Sequence, residues 1–326
     1  MQPIFQLTLD GKPITLAGRG NALTFTDHSG READQLDVTV VDHDNRIALP
    51  RPGVTLRASI GWAGGALTDL GAFVVDNVQH GGPPDKIQIR AHSADLAGSW
   101  TEKRDQGWDD LTVEDILVTI AFRHDVTPAF DPDLGAIEIE HIDQTGESDL
   151  HFLTRLGERV GGLFAVKDGR LLFKKRADGR TISGKALPTI LIRRSDCESH
   201  RYQEQQRERY TGVVTHWWDR DLGEKRDLIV GEPGHRRKLR AAYPNAVEAD
   251  KAARAEWQRL QAAKAALSLS GLVGDARYRA ETPAILTGFP LEIQAQSWVL
   301  DTATHRLDDG GWVVDLECVT PGSGKD

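Results

Sequence analysis

The chain has few of the residues and patterns that announce covalent or catalytic chemistry. Its 326 residues include two cysteines, Cys197 and Cys318. Two thiols are no multi-bridge framework; one bridge between them stays open, and a reducing assembly compartment is the natural setting. The opening residues, MQPIFQLTLDGKP, have neither a basic start nor an apolar run, so no signal peptide is expected. No apolar stretch approaches the roughly 20 residues a helix needs to cross a bilayer. The histidines never fall into H-x-x-x-H or H-x-H, and C-x-x-C is absent. Cys197-Glu-Ser-His200 supplies only two ligand types, which do not make a metal site. There is no G-x-S-x-G and no phosphate loop, and Gly18-Arg19-Gly20 lacks the third glycine of a dinucleotide fingerprint.

Positive charge is also in short supply. Forty Lys and Arg face 49 Asp and Glu, a net charge of −9. Specific nucleic-acid binding needs a basic stripe against phosphate and is not expected here, although an acidic wall suits a channel past which DNA slides. The one dense basic run is His235-Arg236-Arg237-Lys238-Leu239-Arg240, with Trp217-Trp218 upstream. Aromatics beside cations can hold single strands. In so acidic a chain, a salt-bridged or partner-facing patch is the better reading. Asp42-His-Asp44 and Asp131-Pro-Asp133 pair carboxylates, but Asp and Pro are ordinary turn formers and both pairs fall in expected loops. No catalytic, cofactor-binding or metal-binding residues are assigned, and an enzyme is not supported.

What is present is a globular, turn-rich composition: 39% hydrophobic, 27% charged and 32 glycines over a length that fits two or three domains. Residues 1–97 read as all-β. Ile4–Leu9 and Pro13–Leu16 flank the hairpin turn Asp10-Gly11, and Leu36–Val40, Val54–Ile60, Phe73–Val78 and Ile87–Ala91 follow. Residues 98–180 read as a small α/β domain, with Thr112 and Asp115 capping a helix through Ile120 and a break at Pro128–Pro132. Residues 181–321 return to strands around an inserted helix of about 246–267, capped by Asn245 and Glu248 and anchored by Trp257 and Leu260. Residues 322–326 close a frayed tail that begins at Pro321.

Within the middle domain, Ser148 reads as an N-cap before Phe152, Leu153, Leu156 and Val160, which share one helical face. Gly161-Gly162 stops that helix, and Leu163–Phe173 forms a hairpin turning at Lys167-Asp168-Gly169-Arg170. Outside it, Phe73-Val-Val-Asp-Asn-Val-Gln-His80 and Trp298-Val-Leu-Asp-Thr-Ala-Thr-His305 share an aromatic-Val-aliphatic-Asp-x-apolar-x-His pattern. Val54–Ala58 and Leu291–Ala295 match loosely as the strands before them. A duplicated β-domain flanking a middle insert follows, with His80 and His305 as polar caps at strand ends.

The string Gln144-x-x-Glu-Ser-Asp-Leu-x-Phe-Leu-x-Arg-Leu156 resembles the central segment of the phage late control gene D family, the hub of contractile tails, related to the first module of type VI secretion spikes. The resemblance runs over roughly residues 4–320. It takes in Ile60-Gly-Trp62, Leu70–Asp76, Thr101–Trp108, Trp298-Val299, His305-Arg-Leu307 and Gly310-Gly-Trp312. It implies an α+β, mainly β fold, with two tail-tube-like β-barrel domains flanking a small α/β middle domain. It implies a structural hub of a contractile phage tail or phage-tail-like particle baseplate: a homotrimer adapting a six-fold tail tube to a three-fold central spike. The implied partners are a separate spike protein, the tail tube or its initiator and the baseplate wedge, with the tape measure protein left open. The resemblance implies no membrane anchor, with DNA passing through the channel if the particle is a phage. The implied place is the virion tail baseplate or a phage-tail-like particle, assembled in the host cytoplasm. A tail-associated wall hydrolase and a glycan- or receptor-binding β-protein are the alternatives.

Overall fold

The computed structural model describes residues 2–14, 19–30, 33–93, 98–167, 169–175, 179–182, 184–204, 210–219, 222–262 and 265–320. Leu16, Gly18, Asp168 and the tail from Pro321, named above, lie outside them. The first elements are β1 (Pro3–Leu9), β2 (Lys12–Ile14), β3 (Asn21–His28), β4 (Gln35–Val41), β5 (Thr55–Trp62), β6 (Thr68–Gly81) and β7 (Lys86–Ser93). Then come β8 (Lys103–Thr112), α1 (Val113–Arg123), β9 (Thr127–Phe130), α2 (Pro132–Gly135), β10 (Glu138–Ser148), α3 (Asp149–Val160), β11 (Gly162–Lys167) and β12 (Arg170–Lys175). The rest are β13 (Ile190–Arg193), β14 (Ser199–Glu204), β15 (Gly212–Asp219), β16 (Glu224–Gly231), β17 (Arg236–Tyr243), α4 (Ala246–Ala262), β18 (Ala265–Val273), β19 (Pro283–Thr287), α5 (Leu291–Gln294), β20 (Trp298–Asp308) and β21 (Gly311–Val319). The protein is mainly β.

Contacts divide the chain into two compact units. One comprises residues 1–97, 188–201 and 267–318; the other comprises 98–187, 202–266 and 319–326.

The first unit is built on one sheet, in the order β14-β18-β21-β20-β3-β4-β7-β6-β5-β1-β2, with β13 and β19 joined beside β20. Period-two alternation explains its strands: Leu36, Val38 and Val40 of β4 and Leu56, Ala58 and Ile60 of β5 are all buried. Asp10 and Gly11, both at positive φ, close the β1–β2 hairpin, the backbone that a two-residue turn matching strand twist requires. N- and C-terminal halves of the chain meet where β20 pairs antiparallel with β3, Thr302 opposite His28 through Leu307 opposite Leu23.

The duplicated pattern lies on β6 and β20, and each strand precedes the next in a hairpin-like order. Phe73 and Trp298 are buried alike, as are Val75 and Leu300. Two parts of the expected correspondence fail. Leu291–Gln294 is a helical turn, with Pro290 at its N-cap and Trp298 Nε1 donating to Ile293 O at 2.9 Å. Five residues are too few for period two to be told from one helical turn. The histidines also part ways: His80 sits at the end of β6 as expected and is exposed, whereas His305 lies inside β20 and is fully buried.

In the second unit, Thr112 and Asp115 form a reciprocal capping box on α1. Ser148 caps α3 by accepting from the His151 amide, and Gly161 at φ 75° ends it. Pro128, expected to break the chain, lies in β9, an edge strand parallel to β12, where a missing N–H is tolerated. β10 pairs with β8, and β15 lies between β16 and β17. Asn245 caps α4 by accepting from the Glu248 amide. Here too the outcome differs from expectation. The helix ends at Ala262, Leu267 is buried in β18, and Trp257 and Leu260 are half-buried while Ala249, Ala252, Ala253 and Ala255 form the packed face.

Candidate functional site

The motif that opens α3 supplies the polar centre of the second unit. Asp149, at the first helical position, is fully buried. Arg123 Nη1 reaches both its oxygens at 2.7 and 2.8 Å, His124 Nε2 lies 2.8 Å from Oδ2, and Gln144 Nε2 donates to Oδ1 at 2.8 Å. Burial alone would raise this carboxyl, but the hydrogen bonds from Gln144, Arg123 and His124 outweigh it and hold the group below the usual carboxylate range. Gln144 reaches it because β10 carries a bulge between Gln144 and Glu147, opened by Gly146 at φ 55°. Glu147 takes Arg155 at 2.7 Å, and Arg159 pairs with Glu248 of α4. Below the network, Phe152 stacks on Trp108 at 5.6 Å. Each polar letter of the motif thus joins a strand to a helix or one helix to another.

One line through this cluster has the residue types of an acyl-transfer triad. Ser99 Oγ lies 2.8 Å from His124 Nδ1, and His124 Nε2 faces Asp149. Arg123 already neutralises that carboxylate, and the Trp100 ring lies 3.8 Å from the imidazole in a stack. Nothing in sequence spacing pointed to this line, since Ser99 lies before β8, His124 just after α1 and Asp149 at the start of α3. The available signal was a run of polar residues entering an apolar helix face.

The second cluster belongs to the first unit. His305 Nε2 donates to Tyr278 O at 2.8 Å, a carbonyl that can only accept. Its Nδ1 therefore carries the lone pair that accepts Trp312 Nε1 at 3.2 Å. Burial pushes the imidazole down to about 4, so it is neutral at pH 7. Phe25 stacks on it at 5.9 Å, and beside it Arg279 pairs with buried Asp27 at 2.6 Å. Trp312 also packs against Trp62 at 5.3 Å, and Trp62 Nε1 donates to Gly274 O at 3.0 Å. A Cβ at Gly274 would fall 2.0 Å from the Trp312 ring, so only glycine fits.

The remaining sequence candidates are separate from one another. Asp42 and Asp44 both hold Arg19, at 3.2 and 2.7 Å, and Asp42 also accepts from the Arg46 and Ile47 amides. Asp131 caps α2 and Asp133 takes Lys175 at 2.6 Å. Cys197 and Cys318 are both free and buried, and burial drives the Cys318 thiol well above its ordinary range. His200 meets the edge of Phe289 and does not join Cys197 in a cluster. Among the described residues, no group of three or more His, Cys, Asp or Glu is arranged to hold a metal, and no helix is long and apolar enough to cross a membrane. The basic run forms β17, with Arg237 held by Glu256 at 2.9 Å. Trp218 is 51% exposed and Trp217 half-buried on β15.

Comparison with known proteins gives this architecture relatives. The family profile "Phage tail baseplate hub (GPD)" matches residues 32–311. A probable baseplate hub protein of Escherichia phage P2 is 36% identical over 359 residues, covering 97% of this chain and 93% of the relative. Among solved structures, the 43 kDa tail protein of prophage MuSo2 from Shewanella oneidensis has the same fold, with a TM-score of 0.72 at 17% identity, covering 98% of this chain and 99% of that one. The E. coli type VI secretion component described as similar to bacteriophage T4 tail proteins gp27 and gp5 has a TM-score of 0.60 at 15% identity, over 98% of this chain and 77% of the other.

Proposed function

The chain belongs to the phage tail baseplate hub family, and on that premise we propose that three copies form the ring that adapts a six-fold tail tube to a three-fold central spike. As a baseplate hub protein its place is the phage tail. The observation that carries the finer reading is the sheet of the first unit, whose N- and C-terminal halves carry buried Phe73 and Trp298 at matching places and join through β3 and β20. We read each half as one tail-tube-like β-barrel domain, with the 98–180 domain inserted between them. Two such halves in each of three copies present six similar faces around one axis, while the chain as a whole repeats three times. Such a ring meets a tube on one side and a spike carried by a separate protein on the other, with wedge proteins at its rim and assembly in the host cytoplasm. Its work is mechanical, and catalysis has no part in it.

A second reading, wall hydrolysis, has the Ser99–His124–Asp149 line in its favour. Two measurements separate the readings. The purified chain mixed with its spike protein is expected to co-elute as one complex at a three-to-three ratio. On peptidoglycan it is expected to release no more product than a Ser99→Ala variant. Release that disappears with Ser99→Ala would favour the hydrolase, and failure to bind the spike would count against the hub ring.

A further inference from the structure

The basic strand β17 has no part in the packing that the hub reading uses. It is an edge: in the order β16-β15-β17 it pairs with β15, and among the described residues its other side is unpaired. Its cations divide by face. Arg237 turns toward α4, where Glu256 holds it at 2.9 Å and the Tyr210 ring lies 5.9 Å away. Lys238 stands opposite Val214, on the alternate side of the strand, and is exposed. Between that pair and the His216–Ala242 pair, β17 has three residues where β15 has one, and the surplus carries exposed Arg240. Among the described residues neither Lys238 nor Arg240 forms an ion pair.

We propose that this edge receives an extended acidic segment of a partner protein. An edge strand offers a row of unsatisfied N–H and C=O groups, which a second strand satisfies. Positive side chains along that edge repel the same edge of another copy and attract an acidic chain, so a single feature excludes self-pairing and selects the partner. The acidic residues of the same sheet do not cancel this. Asp219 of β15 is buried and held by Arg226 at 3.4 Å, while Glu224 and Asp227 lie on β16, and a strand added outside β17 would sit about 14 Å from β16, three spacings of about 4.8 Å. That is beyond the screening length of about 8 Å at physiological salt. A single-stranded nucleic acid is the poorer fit. It requires successive stacking platforms. Among the described residues of this sheet, Trp218 on β15 is the one broadly exposed aromatic, and the chain carries −9.

The probe is a fluorescein-labelled ten-residue peptide alternating Glu and Val, titrated with the full chain and read by anisotropy. Binding is expected at physiological salt and should weaken about tenfold in the double variant Lys238→Glu/Arg240→Glu, with the thermal midpoint unchanged. Trp218→Ala should bind as the parent does. Amide exchange at Arg236–Tyr243 should slow when the peptide is present. The proposal is overturned if the peptide does not bind, if a Lys–Val peptide or an oligo-dT strand binds as tightly, or if charge reversal leaves the affinity unchanged. The surface requires neither ring nor spike, so this result and the co-elution above stand or fall separately.

Discussion

Asp149 is where the polar interior of the second unit converges, and its removal would strand several donors at once. Asp149→Ala leaves Arg123, His124 and Gln144 facing an empty acceptor site. A loss of about 3–5 kcal/mol in urea unfolding at pH 7 is expected, and a loss under about 1 kcal/mol would contradict the role assigned to it. Because the folded carboxyl is held low, its contribution is fully present above the unfolded value of about 4 and is lost as pH falls through the folded one. His305 acts in a higher window. Its folded value, about 4, lies below the ordinary 6.5, so between those limits the unfolded chain binds a proton that the native chain refuses. Stability should therefore fall by about 3 kcal/mol as pH drops from 7 to 4, at about 1.4 kcal/mol per pH unit. His305→Gln should flatten that slope, and an unchanged slope in the variant would be the contrary result. His141 works with the opposite sign: hydrogen bonds to Asp109 and then Asp143 raise it, so its small, exposed contribution is lost as pH rises through its folded value. None of these partners was legible in the sequence. Spacing reports which face a side chain shares with its near neighbours, whereas Asp149 meets Arg123 26 residues away.

At the scale of elements, legibility tracked local chemistry. α3 could be read from end to end because its cap, its apolar face and its glycine stop are all encoded within the fourteen consecutive residues Ser148–Gly161. The same holds for α1 and for the Asp10-Gly11 hairpin. The end of α4 was not legible, because alanine-rich sequence keeps its helical propensity beyond the point where strand pairing takes over at β18. The apolar face of α3 gives a direct test. Phe152→Ala removes a fully buried ring stacked on Trp108 and should cost about 3–5 kcal/mol by chemical denaturation. A cost within about 0.5 kcal/mol would mean that the helix is not packed as described.

At the scale of the molecule, the duplicated pattern was visible, but the pairing that joins its halves was not. β3 and β20 carry no local mark of each other, and the hydrogen bond from Ser29, just past β3, to Asp301 of β20 spans 272 positions. The fragment of residues 1–97 therefore lacks the strand that covers β3. Expressed alone it is expected to aggregate or to lack a cooperative thermal transition, and a soluble, cooperatively folding monomer would contradict the joint. The test closest to the central claim is class-averaged electron microscopy of the purified chain with its spike, with the mass measured on the same sample. The expected result is a ring of three chains, three times 35.9 kDa plus the spike, showing six similar lobes around one axis. A stable monomer that never joins the spike would contradict it.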